Sequence, residues 1–218
     1  MLLRELQALL ARIYDLELDA DVCDFLITDP RELNHWHAES ARRGLPEALL
    51  VRECADSVAV ALYLDPALLE RLGKSAPLER LGAHNLEDFC TALEGVSHFA
   101  CVAWTASAGR SVSLLGLEVQ ADIDKYTISV LLAGQQAGGA LARGLHAQLF
   151  DRVRYRDDLD RGARRLYENA NRYAARFCRQ LEDRFLRPRR ARVEAMLGEL
   201  RRFYRLSDAG KLRTIEAA

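Results

Sequence analysis

The sequence lacks the features that mark secreted, membrane-spanning and disulfide-bonded proteins. Its five cysteines are scattered and form no Cys-x-x-Cys pair, so neither a disulfide framework nor a thiolate zinc site is expected. Charged residues interrupt the leucines at the N-terminus, unlike a secretory leader. The longest uncharged stretch, residues 126–142, is too short and too polar for a bilayer. These absences predict a soluble, cytoplasmic protein with reduced thiols and no membrane contact.

The common nucleotide-binding and catalytic motifs are missing as well. Neither Gly-x-Gly-x-x-Gly after a strand nor Gly-x-x-x-x-Gly-Lys-Ser/Thr occurs, and His-Glu-x-x-His and Gly-x-Ser-x-Gly are absent. The glycine-rich segment 134–139 lacks the Lys-Ser/Thr of a phosphate-binding loop, and we expect a helix break there. No motif therefore implies a cofactor.

Lysine is scarce, whereas arginine is abundant. Among the 31 basic residues, the only lysines are Lys74, Lys125 and Lys211. Such a bias is typical of a GC-rich bacterial genome, so a single arginine carries little functional weight. The formal net charge of −1 gives no overall field that would favour nucleic acid or a membrane.

The apolar pattern predicts a predominantly α-helical α+β protein with a short antiparallel sheet within about residues 22–64. Residues 22–28 are typical of a strand ahead of a short helical turn. Residues 48–53 and 57–64 are typical of the two strands of a β-hairpin, because the second alternates apolar and small residues.

Helical periodicity and helix-start signals cover most of the remaining chain. The predicted helices lie at about residues 2–15, 66–72, 85–107, 111–133, 140–153, 160–186, 189–205 and 207–216. Residues 73–83 are expected to form a loop. The chain is therefore expected to consist of a small α+β part, residues 1–83, and a helical part, residues 84–218, packed together as one unit.

Two polar strips run along the very apolar helices at 85–107 and 111–133. One strip holds Glu87, Thr91, Glu94, His98, Cys101 and Thr105, and the other holds Glu118, Asp122, Lys125 and Ser129. If the two helices pack as an antiparallel hairpin, four of these side chains face one another. These four are Glu94, His98, Glu118 and Asp122.

This polar cluster has two interpretations. Carboxylates and imidazole on facing helices are the groups with which helical proteins bind metal ions or transfer protons. The spacings are Glu-x-x-x-His and Glu-x-x-x-Asp rather than the Glu-x-x-His of di-iron bundles. The alternative is an ion-paired network in which Lys125 or Arg110 supplies the counter-charge.

Basic residues are concentrated in the C-terminal part of the sequence. Residues 150–205 contain 17 arginines and 9 acidic residues, a local charge of +8. Five arginines share one face of the helix predicted at 160–186. These are Arg161, Arg165, Arg172, Arg176 and Arg179. The face could follow a line of phosphates, dock on an acidic protein surface, or remain solvated.

The segment His35-Trp36-His37 is a weaker candidate site. Its two histidines share a face only on a strand, and no third ligand stands at a metal-binding spacing. The tryptophan is therefore expected to anchor a loop against the core.

Three functions follow from these patterns, in order of preference. The first is a non-catalytic intracellular interaction or adaptor protein that associates with itself or another protein, because catalytic motifs are absent and the two regions carry opposite charge. The second is a nucleic-acid-binding accessory protein that uses the arginine face. The third is a metal-binding protein or acid–base enzyme centred on Glu94, His98, Glu118 and Asp122.

Overall fold

The protein is a predominantly α-helical α+β structure with one small sheet. The computed structural model describes residues 2–36, 44–54, 57–137, 144–187 and 192–217. The helices are α1 (Leu2–Tyr14), α2 (Pro66–Ser75), α3 (Leu86–Ser107), α4 (Leu114–Gln136), α5 (Leu145–Phe150), α6 (Arg161–Leu181), α7 (Val193–Tyr204) and α8 (Asp208–Glu216). The strands are β1 (Leu26–Ile27), β2 (Glu47–Cys54) and β3 (Ser57–Leu64). Among the described residues, every helix falls short of the length and apolarity that a bilayer-crossing segment requires.

The sheet has the strand order β1-β3-β2, and its strands are not all antiparallel. The predicted hairpin is confirmed, because β2 and β3 pair in antiparallel register from Glu47 opposite Leu64 to Cys54 opposite Ser57. The sheet also contains a parallel pair that was not expected, since β1 runs parallel to β3 on its other side. Most of the predicted first strand is instead a 3₁₀ turn, Val22–Phe25, whose start is capped by the Asp21 carboxylate.

Local sequence signals explain where the N-terminal helices begin and which face they bury. The leucine stripe of α1 lies against α3 and α7, and its buried residues are Leu3, Leu6, Leu10, Ile13 and Tyr14. Helix α2 begins at Pro66, and the Asp65 side chain accepts hydrogen bonds from the backbone N–H groups of Ala67 and Leu68. This is the capping arrangement that the Asp-Pro sequence predicts.

Helices α3 and α4 form the centre of the molecule. They are 22 and 23 residues long, roughly 33–35 Å at 1.5 Å per residue. Both are buried over much of their circumference, since α3 contacts α1, α2 and the sheet while α4 contacts α5 and α6. One apolar core includes residues from every helix and from β3, so the sheet and the helical part share it.

Several helix boundaries differ from those predicted. Helix α2 extends to Ser75, into the predicted loop, and the helix expected at 140–153 is helical only over Leu145–Phe150 in its described part. Helix α4 continues to Gln136, beyond the expected break at 134. The Gln136 side chain explains this extension, because it accepts a hydrogen bond from Leu81 N at 2.8 Å and ties the helix end to the loop after α2. Residues 138–143 and 188–191 lie outside the described residues.

A glycine on α3 allows the hairpin to approach the helix closely. A Cβ atom at Gly95 would lie 2.7 Å from Leu62 Cδ1 and 2.9 Å from Glu47 Cγ. Leu62 is completely buried, so its side chain has little room to move away. The absence of a side chain at residue 95 therefore fixes how near β2 and β3 come to α3.

We expect the substitution Gly95→Ala to lower the free energy of unfolding by about 1–2 kcal/mol. Overpacking a dense core costs about 1–3 kcal/mol, and the better helix propensity of alanine offsets up to about 1 kcal/mol of that cost. Gly198→Ala in α7 is the matched control, because its Cβ would meet nothing within 4 Å. Urea unfolding should show Gly198→Ala unchanged or stabilised. Equal stabilisation by both substitutions would contradict the close approach.

Candidate metal centre

The polar strips of α3 and α4 face each other across the centre of the protein. Glu94 and His98 lie one turn apart on α3, and Glu118 and Asp122 lie one turn apart on α4. The helices are antiparallel, because Glu94 is joined to Lys125 while His98, further along α3, is nearest Glu118. The distance from His98 Nε2 to Glu118 Oε1 is 3.7 Å. The structure thus places all four predicted residues in one cluster.

A fifth group, Glu47 at the start of β2, completes the cluster from the sheet. Its Oε1 lies 3.8 Å from His98 Nδ1, beyond hydrogen-bond length but close enough for electrostatic attraction. Sequence reasoning missed this residue. The available signal was strand alternation, since Glu47 and Leu49 share one face of β2 and Leu49 packs against the main core.

Two buried atoms of the cluster have no hydrogen-bond partner within the described part of the chain. They are Nε2 of His98 and Oε1 of Glu47. The two side chains are only 8% and 11% exposed, so water does not readily replace the missing partner. Unpaired buried polar atoms are rare in native proteins because each costs about 1–3 kcal/mol, and they often mark a site for a ligand or ion.

Lys125 pairs with the carboxylates at the other end of the cluster. Its Nζ is 2.8 Å from Glu94 Oε2 and 2.7 Å from Asp122 Oδ1. The predicted ion-paired network is therefore present here, with Lys125 as the counter-charge. Arg110 takes no part, because its guanidinium donates to the Arg205 carbonyl and lies 5.6 Å from the centre of the Trp104 ring.

Burial and neighbouring charges have opposite effects on each pKa in the cluster, and the net result for His98, Glu118 and Glu47 is a raised pKa. Burial lowers the pKa of His98, but Glu47, Glu118 and Glu94 outweigh burial and raise the pKa to about 9. Burial raises the pKa of Glu118 to about 7, although His98 opposes the rise. Burial also raises the pKa of Glu47. The cluster therefore holds protons near neutral pH that an incoming cation would displace.

Three of these side chains can direct a ligand atom to a common point. One donor atom each from Glu94, His98 and Glu118 lies within 4.8 Å of the others. Ligands bound to one ion at about 2.0–2.2 Å lie roughly 3.0–3.4 Å from each other, so small side-chain movements would bring the three into coordination. Glu94 supplies a carboxylate whose Oε2 pairs with Lys125 and whose other oxygen can still bind.

A second buried carboxylate, Asp124, was not predicted. It accepts hydrogen bonds from the Tyr14 hydroxyl, from Ser97 Oγ at 2.5 Å and from Gln120 Nε2 at 2.9 Å. Burial raises the pKa of Asp124 to about 6, and these hydrogen bonds limit the rise. Because three donors surround it and it joins α1, α3 and α4, we assign Asp124 a structural role.

The predicted arginine face of α6 is on the surface, and part of it is engaged within the chain. Arg161, Arg165 and Arg172 are exposed. Arg176 donates to the Glu216 carbonyl, and Arg179 donates to His146 Nδ1 at 2.9 Å. The interaction and nucleic-acid functions that this face suggested stay predictions.

Only part of the segment His35-Trp36-His37 falls within the described residues. Residues Glu32–Trp36 form a 3₁₀ helix, and His37 lies outside the described residues. Trp36 is partly buried against a small apolar cluster that includes Leu50 and Tyr63. This contact is the expected anchoring of a loop by its tryptophan.

We expect Lys125→Met to lower the free energy of unfolding by about 3 kcal/mol in metal-free protein. Removing the ammonium leaves Glu94 and Asp122, both largely buried, without a counter-charge. Lys74→Met is the matched control, because Lys74 pairs with Glu70 on the exposed surface of α2 and should change stability little. Denaturant unfolding in the presence of a chelator measures both variants. Similar losses of stability in the two variants would show that the ion pairs of Lys125 contribute no more than the exposed pair of Lys74.

Comparisons with known proteins give no relative. The chain matches no protein-family model, no curated protein and no solved structure. Its function is accordingly inferred from the arrangement of its side chains.

Proposed function

We propose that the chain is a metal-binding protein whose ion is held between α3 and α4 by Glu94, His98 and Glu118. One observation carries the proposal: the buried Nε2 of His98 has no hydrogen-bond partner among the described residues and faces Glu118 at 3.7 Å, while Glu47 lies on the Nδ1 side of the same ring. Metal-binding histidines have this arrangement, with one nitrogen on the ion and the other next to a carboxylate that orients the ring.

The charge balance of the cluster also favours a cation. Four carboxylates, from Glu47, Glu94, Glu118 and Asp122, converge where Lys125 and His98 are the basic groups nearest to them. Lys125 compensates Glu94 and Asp122. Glu47 and Glu118 then share a single imidazole, so a divalent ion would supply the missing positive charge and occupy the unpaired nitrogen.

The donor set indicates which ions fit. One imidazole nitrogen with carboxylate oxygens suits a divalent first-row ion such as Mn²⁺, Fe²⁺ or Zn²⁺. Ca²⁺ and Mg²⁺ fit less well, because they prefer sites made only of oxygen ligands. No thiolate belongs to the donor set, because the donor atoms that lie together among the described residues come from Glu94, His98 and Glu118.

Three protein ligands leave coordination positions open for water or a substrate, as in catalytic rather than structural metal sites. Glu94, whose side chain is 28% exposed, is the most accessible of the three ligands. A metal ion held by these three side chains would lower the pKa of a coordinated water and so could supply a nucleophile for hydrolysis. We therefore favour metal-assisted hydrolysis of a small substrate as the reaction class.

We expect purified, chelator-treated protein to bind one Mn²⁺, Fe²⁺ or Zn²⁺ ion per chain. Isothermal titration calorimetry and elemental analysis after gel filtration measure the stoichiometry. His98→Ala should abolish binding, and Glu47→Gln should weaken it about 10–100-fold, because an orienting carboxylate is lost while the ligands remain.

The matched control for metal binding is His84→Ala, since His84 is an exposed histidine just before α3. It should bind the ion as the unaltered chain does. Stoichiometric binding that survives His98→Ala, or no binding of any of the three ions, would refute the proposed centre.

We expect the affinity for the ion to rise with pH between 6 and 8, by about tenfold per pH unit or more. At pH 6 both His98 and Glu118 are protonated, because their pKa values of about 9 and about 7 lie above that pH. Each proton that the ion displaces adds about a factor of ten per pH unit. Calorimetry in buffers of different ionisation enthalpy counts the released protons. An affinity independent of pH would mean that the ion binds other groups.

A further inference from the structure

A second group of unusual side chains lies at the C-terminal end of α3. A cavity of about 330 Å³ opens where the last turn of α3 and the following turn meet the end of α7 and the start of α8. Its volume is at the lower end of the range for small-molecule sites. Its walls combine apolar and cationic side chains, and it shares no residue with the proposed metal centre. Among its lining residues are Trp104, Tyr204, Leu206, Arg110, Asp208 and Lys211.

Lys211 is the unusual residue of this cavity. Lys211 is only 4% exposed, and its Nζ donates a hydrogen bond to the neutral amide oxygen of Gln120 at 2.8 Å. Its Nζ also lies 5.3 Å from the centre of the Tyr204 ring. Among the described residues, no carboxylate forms an ion pair with it. The Asp124 carboxylate reaches Lys211 only through Gln120, whose Nε2 donates to Asp124 Oδ1. A buried ammonium without a direct ion pair is costly, so the site favours either loss of the proton or a bound anion.

The other charged groups of the cavity add to this imbalance. Arg110 is held over Trp104 and against the Arg205 carbonyl, which places its guanidinium at the cavity wall. The Asp208 carboxylate is already engaged, since its Oδ2 accepts a hydrogen bond from the backbone N–H of Ser113 at 2.8 Å. Arg110 and Lys211 contribute two positive charges to the lining and Asp208 contributes one negative charge, so the net charge of the lining is +1.

We propose that this cavity binds a small monocarboxylate with an aromatic or apolar body. The carboxylate lies between Arg110 and Lys211, where it supplies the counter-charge that Lys211 lacks. The body packs against the rings of Trp104 and Tyr204 and against Leu206. One negative charge matches the net +1 of the lining, whereas a doubly charged phosphate would leave excess negative charge in a partly enclosed site.

Burial lowers the pKa of Lys211 below its usual value, and Arg110 lowers it further, although Cys101, Asp124 and Asp208 oppose the shift. A carboxylate bound beside Lys211 would raise this pKa towards its usual value.

Benzoate is the test ligand, and benzamide, which has nearly the same shape but no charge, is its control. Calorimetric titration of the full chain in the presence of a chelator excludes binding of the carboxylate to a metal ion. Benzoate should bind one site per chain with a dissociation constant in the millimolar range or below. Benzamide should bind at least about tenfold more weakly, because a charge-assisted hydrogen bond contributes about 1.5–3 kcal/mol.

Variants locate the site. Lys211→Met and Arg110→Gln should each weaken benzoate binding about tenfold or more. Arg213→Gln is the matched control, since it makes the same change of charge on the exposed face of α8 and should leave binding unchanged. Circular dichroism verifies folding, and Arg110→Gln decides the outcome if Lys211→Met fails to fold. Absence of saturable benzoate binding, equal binding of benzamide, or equal weakening by Arg213→Gln would overturn the proposal.

Discussion

Packing α3 against α4 brings ionisable side chains into the interior, and much of the surrounding structure compensates for them. Three pairs cross this interface: Ser97 with Asp124, Glu94 with Lys125, and His98 with Glu118. An uncompensated buried charge costs several kcal/mol, so each pair limits how far the two helices can slide or rotate. The polar groups thus specify the register of a contact that is otherwise apolar and tolerant of displacement.

The buried carboxylates are compensated to different degrees. Asp124 receives hydrogen bonds from Tyr14, Ser97 and Gln120. Glu94 and Asp122 share one ammonium group. Glu47 and Glu118 are left with a single imidazole, one nitrogen of which has no partner among the described residues. A structural network would be expected to satisfy all of its members. The proposal of a metal centre rests on this incomplete compensation around His98, which an internal salt bridge would not leave.

Residues on one helix face could be predicted from the sequence, whereas contacts between distant elements could not. The strip that contains Glu94 and His98 follows from helical periodicity alone. The approach of Glu47 depends on how the hairpin docks, which periodicity does not specify. The rarity of lysine in this sequence also pointed to the candidate sites. In a chain with 31 basic residues and only three lysines, two of them, Lys125 and Lys211, are buried beside candidate sites. Lysine differs from arginine in carrying a compact charge on a flexible stem, and its pKa shifts readily when the side chain is buried.

The close approach at Gly95 links parts of the chain that are far apart in sequence. Glu47 can lie beside His98 because residue 95, about one turn earlier on α3, carries no side chain. A side chain at residue 95 would displace the hairpin and, with it, the carboxylate of Glu47. A shorter or longer side chain at residue 47 would in turn change how well the space beside Gly95 is filled. Among homologues that bind the same ion, the two positions should therefore vary together or not at all.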